Sequence, residues 1–132
     1  MTLIVCLDEH GGMTYNGRRQ SRDGAVLEDI KRMGGRVLIS PFSEKYFAKM
    51  DCTVCKDPLG EAGESDLCFI EEPGAARYLE RIDRIIIYNW NEAYPSDDKF
   101  DISPLKEGFR LTGKAEFVGR AHEKITKEIY RR

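Results

Sequence analysis

The stretch TYNGRRQSRD, residues 14 to 23, gathers the side chains of this sequence best suited to hold an anion: Asn16, Arg18, Arg19 and Arg22. A planar guanidinium bonds carboxylate or phosphate oxygens two at a time, so a nucleotide, a sugar phosphate or an acidic patch on a partner fits the set. A solvated basic loop is the alternative reading. Asp23 closes the stretch. Standing just before an amphipathic run, it has the residue type of a helix N-cap.

A second suggestive stretch is IEEPGAARYLERI, residues 70 to 82. It reads as the end of a strand, a tight turn and a short helix. When such a turn is glycine-rich, its amides can approach a phosphate at the helix N-terminus. Here Glu71, Glu72 and Pro73 fill the turn and only Gly74 remains. A carboxylate about 4 Å from a phosphate costs about 4 kcal/mol at an effective dielectric near 20, against about 8 kcal/mol for a micromolar ligand. The plainer reading is that the two glutamates open a helix, where acidic groups suit the dipole.

The remaining candidates point to structure. Cys52 and Cys55 have the spacing of half a zinc site, but the other cysteines, Cys6 and Cys68, lie in predicted buried strands. Four-ligand zinc sites need a second pair, so no metal is expected. His10 and His122 stand alone and are expected at the surface. Trp90 is expected to pack in the core or at an interface.

The elements that must position these residues follow from pattern. TLIVCLD at the start is a continuous apolar run, as in a strand buried on both faces. Residues 8 to 23 read as a mobile polar loop. From Asp23 onward, Val26, Leu27, Ile30 and Met33 mark one face of a helix that stops at Gly34-Gly35. Strands are expected at RVLIS, DCTVC, LCFI and DRIIIYNW, and short helices at SEKYFAKM and PGAARYLERI. KDPLGEAGESD and NEAYPSDDKFDISPLKEG read as irregular connections. FRLTGKAEFVG and AHEKITKEIYRR form a terminal antiparallel pair. The alternation implies an α/β fold: a mostly parallel central sheet with flanking helices and a C-terminal antiparallel hairpin. With 132 residues, the chain fits one domain spanning residues 1 to 132.

This order resembles the dihydrofolate reductase-like family. The stretches that carry the likeness are DLCFIEEPGAARYLERIDRIIIYNWNEAYPSDDKFD, LIVCLDEHGGMTYNG and HEKITKEIYRR. The match is one of pattern over most of the chain, with an apparent shortening near residues 56 to 65. The resemblance implies a reductase that uses NADPH on a pterin. It places Glu71 and Glu72 where the family has a glycine pair, leaving Gly74 as the remnant of the cofactor turn. Aligning the first helix on Lys31 and Arg32 puts Val26 at the family's acidic position, with Asp23 one turn earlier as a displaced acid. It also puts the arginines where they would line the mouth of the pocket.

The sequence therefore points to a divergent member without reductase activity and without a cofactor. It would bind an anionic small molecule, nucleotide or partner through residues 11 to 23. A reductase with a rearranged NADPH cleft is the alternative. A homodimeric module using Trp90 and an exposed sheet edge is a third. Composition narrows the partners: 41% hydrophobic, 33% charged and a net charge of -2 give no extended nucleic-acid surface. No run approaches the ~20 apolar residues of a membrane span, and no export signal is visible. A cytoplasmic protein with reduced thiols is the expectation.

Overall fold

The computed structural model describes all 132 residues. Its centre is β1 (Thr2–Leu7), and the sheet grows outward from it on both sides. On one side lie β6 (Leu67–Phe69), β4 (Val37–Ile39) and β5 (Thr53–Val54), each parallel to its neighbour. On the other lie β7 (Arg84–Asn89), parallel to β1, then β10 (Ile125–Arg131) and β9 (Arg110–Phe117), joined as an antiparallel pair. The order across the seven strands is β5-β4-β6-β1-β7-β10-β9.

The sequence of β1 explains its central place. Leu3, Val5 and Leu7 enter one core layer with Ile85, Ile87, Ala75, Ile82 and Phe109. Ile4 enters the other with Ile86, Tyr88, Phe69, Val26 and Ile30. Side chains alternate across a strand, so a strand covered on both faces must be apolar throughout. Each such side chain contributes roughly 1.5–3 kcal/mol on burial. One layer is covered by α1 (Gly24–Met33), the other by a 3-10 helix, Ala75–Arg81.

α1 begins and ends as its sequence predicts. The Asp23 carboxylate accepts from the Ala25 amide, and Gly34 closes the helix at φ 71. Lys31 and Arg32 sit in its last turn, where positive charge suits the dipole.

Four expected features differ. Residues 8 to 23 are no mobile loop: β2 (Gly12–Tyr15) and β3 (Arg18–Arg19) form a hairpin that also pairs with β8 (Asp98–Lys99). Its turn is Asn16-Gly17 with φ of 52 and 70, a turn with two positive φ values that matches strand twist. SEKYFAKM is a run of turns after a 3-10 helix, Pro41–Ser43, although Tyr46 and Phe47 still reach the core. PGAARYLERI is 3-10 rather than α. KDPLGEAGESD contains α2 (Pro58–Glu61), started by the Asp57 side chain and Pro58.

Candidate functional site

The C-terminal ends of β1, β4, β6 and β7 meet the hairpin, the start of α1 and the turn between β9 and β10. Open α/β sheets bind ligands at this end. Here much of the space is filled by the chain's own polar groups.

The hairpin presents adjacent arginines to opposite sides, as strand geometry requires. Arg19 turns inward. Its Nε and Nη2 donate to Glu71 Oε1 and Oε2 at 2.5 and 2.6 Å. The guanidinium carbon lies 4.9 Å from the centre of the Tyr46 ring, a cation–π distance. Ser43 Oγ donates to Glu71 Oε2 at 2.6 Å. Glu71 is thus not a bare charge at the turn but one half of a nearly enclosed ion pair, its side chain 8% exposed. The pair raises the Arg19 pKa, chiefly through that hydrogen bond. Cys6 lies nearby in β1; burial, then the charge of Glu71, pushes its thiol well up and keeps it protonated.

The other predicted ligand residues stay outside. Arg18 and Arg22 are exposed. Asn16 is at the hairpin apex, its amide donating to Asp97 Oδ2 at 3.0 Å. Residues 18, 19 and 22 therefore do not form one cluster.

The acidic turn at residues 71 to 74 has a different arrangement from the one expected. Glu71 and Glu72 precede the 3-10 helix, and its first turn holds no acidic residue. Gly74 stands before it at φ 119. The amides of Gly74 and Ala76 donate to one carboxylate oxygen of Asp101, at 3.2 and 3.1 Å. A remote aspartate thus takes up both amides at the start of this helix. Beside them is a cleft of about 240 Å³ whose walls include Lys56, Glu72, Gly74 and Arg77.

Asp23 is buried, its side chain 0% exposed. Oδ1 accepts from the amides of Ala25 and Arg120, both at 2.9 Å. Oδ2 accepts from the Ala121 amide at 2.8 Å and lies 2.9 Å from His122 Nδ1. Its backbone is tied to Tyr46: Asp23 N donates to the hydroxyl, and the hydroxyl donates to Asp23 O. Burial pushes the Asp23 pKa up, but the bonds from His122 and three amides outweigh it, and the net direction is down. Asp23 is an N-cap, as its position predicts, and a persistent carboxylate.

His122 overturns its expectation, and Trp90 takes the core alternative of its own. His122 is not a surface residue; it is 5% exposed and stacks on Trp90 at 4.4 Å between ring centres and 16° between planes. Trp90 is itself 2% exposed, so it offers no interface. Burial of an imidazole needs partners for both ring nitrogens, and Asp23 and Ser21 supply them. The Asp23–His122 pair spans 99 residues, so no local spacing could reveal it. The four cysteines are free thiols, and no group of three or more His, Cys, Asp or Glu is placed to hold a metal ion.

The strand order and hairpin describe a dihydrofolate reductase-like fold, with a mostly parallel seven-stranded sheet and an antiparallel C-terminal pair. Among solved structures, the chain is similar to the dihydrofolate reductase of Enterococcus faecalis complexed with NADP(H) and RAB-propyl. The TM-score is 0.66 at 12% identity, covering 100% of this chain and 96% of that one. No protein-family profile matches the chain, and no curated protein matches it by sequence. No helix is long and apolar enough to cross a membrane.

Proposed function

We propose that this chain uses the reductase fold as a binding scaffold. On this reading it carries out no nicotinamide-dependent reduction, and it takes an anionic small molecule or nucleotide at the hairpin of residues 11 to 23. The observation that carries the reading is the Arg19–Glu71 pair. It anchors the hairpin from inside and leaves the exposed Arg18 and Arg22 without an ion-pair partner. Arg19 is then the anchor of the site, and Arg18, Arg22 and the Asn16 apex are its contacts. The burial of Asp23 and the Asp101 carboxylate over Gly74 and Ala76 support the loss of reductase chemistry.

The test is a thermal-shift screen of nucleotides, sugar phosphates, pterins and NADPH. A ligand at 100 times its Kd adds about 2.7 kcal/mol, several degrees for a domain of this size. A phosphorylated ligand should shift the wild type but not the Arg18→Ala/Arg22→Ala variant, and NADPH should shift neither.

One observation favours a second reading. The similarity to a reductase complexed with NADP(H) runs the full length of the chain. A reductase with a rearranged cleft would show a shift with NADPH and consume it in the presence of a pterin. The dimer reading keeps only the long edge strand β9, whose exposed residues include Arg110, Lys114 and Glu116. Sedimentation at two concentrations tests it, and charges along an edge favour a monomer.

A further inference from the structure

Ser21 Oγ lies 2.7 Å from His122 Nε2, and His122 Nδ1 lies 2.9 Å from Asp23 Oδ2. We infer that Ser21, His122 and Asp23 form a nucleophile, base and orienting carboxylate that hydrolyse small carboxylic esters. Ser21 and Asp23 belong to the same segment, residues 11 to 23, but the activity uses none of the arginines proposed above to hold the anion.

The protonation pattern follows from the hydrogen bonds. A carboxylate only accepts, so the proton between Asp23 and His122 sits on Nδ1. In the neutral ring Nε2 is then a lone pair, and the Ser21 hydroxyl donates to it. This is the tautomer a general base requires. Two features hold it there. The Ala25, Arg120 and Ala121 amides fix the carboxylate from one side. The Trp90 indole fixes the plane of the imidazole from another. Ser21 is half-buried, whereas His122 and Asp23 are enclosed.

Next to the imidazole is a cleft of about 410 Å³ whose walls include Trp90, Glu92, His122, Glu123 and Lys124; Ser21 is not one of its wall residues. Glu92 Oε2 is 4.0 Å from His122 Nε2, at the same side as Ser21. The chemistry balances with water as the only co-reactant. Ser21 Oγ forms a bond to the ester carbonyl carbon while its proton moves to His122 Nε2. The C–O bond to the alcohol breaks, and the alcohol leaves with that proton. Water, deprotonated by the same nitrogen, then cleaves the acyl-serine and releases the acid. Ser21 lies three residues before the first residue of α1, at the end of the helix that favours negative charge on the carbonyl oxygen. Asp23 touches no substrate; it is a positioning residue.

The experiment uses the full chain with p-nitrophenyl acetate and, separately, a fluorophosphonate ester. Peptide mass spectrometry locates the adduct. The expected result is one adduct on the peptide containing Ser21. Ser21→Ala and His122→Gln should each lower ester turnover by about 10²–10⁴-fold, the usual contribution of a nucleophile–base pair. Lys114→Ala, on the exposed edge strand, serves as the unchanged control. Asp23→Asn should lower kcat with KM kept, which a merely structural role would not do. Wild-type protein that is folded by circular dichroism yet carries no adduct on Ser21 overturns the inference, and this result needs no variant. Equal turnover in wild type and Ser21→Ala overturns it as well.

Discussion

Arg19 and Glu71 hold each other across the open end of the sheet, joined by two hydrogen bonds at 2.5 and 2.6 Å although 52 residues separate them. The pair turns an acidic turn and a basic hairpin, each unfavourable alone at a buried site, into one neutral joint.

Breaking that joint from one side should be costly. Arg19→Ala leaves Glu71 enclosed and without its counter-charge, and should cost about 3 kcal/mol or more. Arg18→Ala, at the exposed neighbour, should stay within about 0.5 kcal/mol. Urea midpoints for the two variants check this; similar values would show that the joint carries no stability.

Acid should act through Asp23. Its folded pKa is depressed, so its stabilisation is complete above the ordinary carboxylate value near 4 and is lost as pH falls below it. Asp8 adds to the same window. Burial pushes it up, but amides of Gly12, His10 and Tyr94 and the Gln20 side chain bring it down on balance. Urea midpoints should therefore fall between pH 5 and pH 3 in the wild type. Asp23→Asn should start lower and fall less steeply; an equal slope would mean that Asp23 is not responsible.

Gly119 tests the enclosure of the same carboxylate. A Cβ there would lie 2.5 Å from Asp23 Oδ2, 2.9 Å from the His122 carbonyl oxygen and 2.9 Å from Ile125 Cδ1. Gly119→Ala should cost about 1–3 kcal/mol by overpacking. It should also weaken the Asp23–His122 contact, visible as a shift of the His122 ring resonances by NMR. A neutral substitution with unmoved resonances would count against the packing described here.

The Asp101 carboxylate should behave as a cap supplied from outside the helix. Asp101→Ala removes the acceptor shared by the Gly74 and Ala76 amides, and should cost about 1 kcal/mol. If that carboxylate is what keeps a phosphate away, the variant should gain a thermal shift with inorganic phosphate that the wild type lacks. A wild type that already responds equally would show the amides to be accessible.

The alternating apolar runs alone determined that this chain builds a two-layered α/β fold around β1, because a strand covered on both faces has to be apolar throughout. Asp23 and Gly34 marked the ends of α1 through cap chemistry, which is local. Asn16-Gly17 also carried its hairpin signal in sequence, but the polar residues around it read as a loop. The polar arrangement at this end of the sheet was not local. His122 could join Asp23 and Ser21 only after the β9–β10 turn folded over the start of α1, and Asp101 reached Gly74 from 27 residues away. Whether Arg19 faced a ligand or Glu71 depended on which side of β3 each arginine took, and that was set by pairing with β2. Charges brought together by tertiary packing neutralise one another, and a linear chain shows the charges but not the partners.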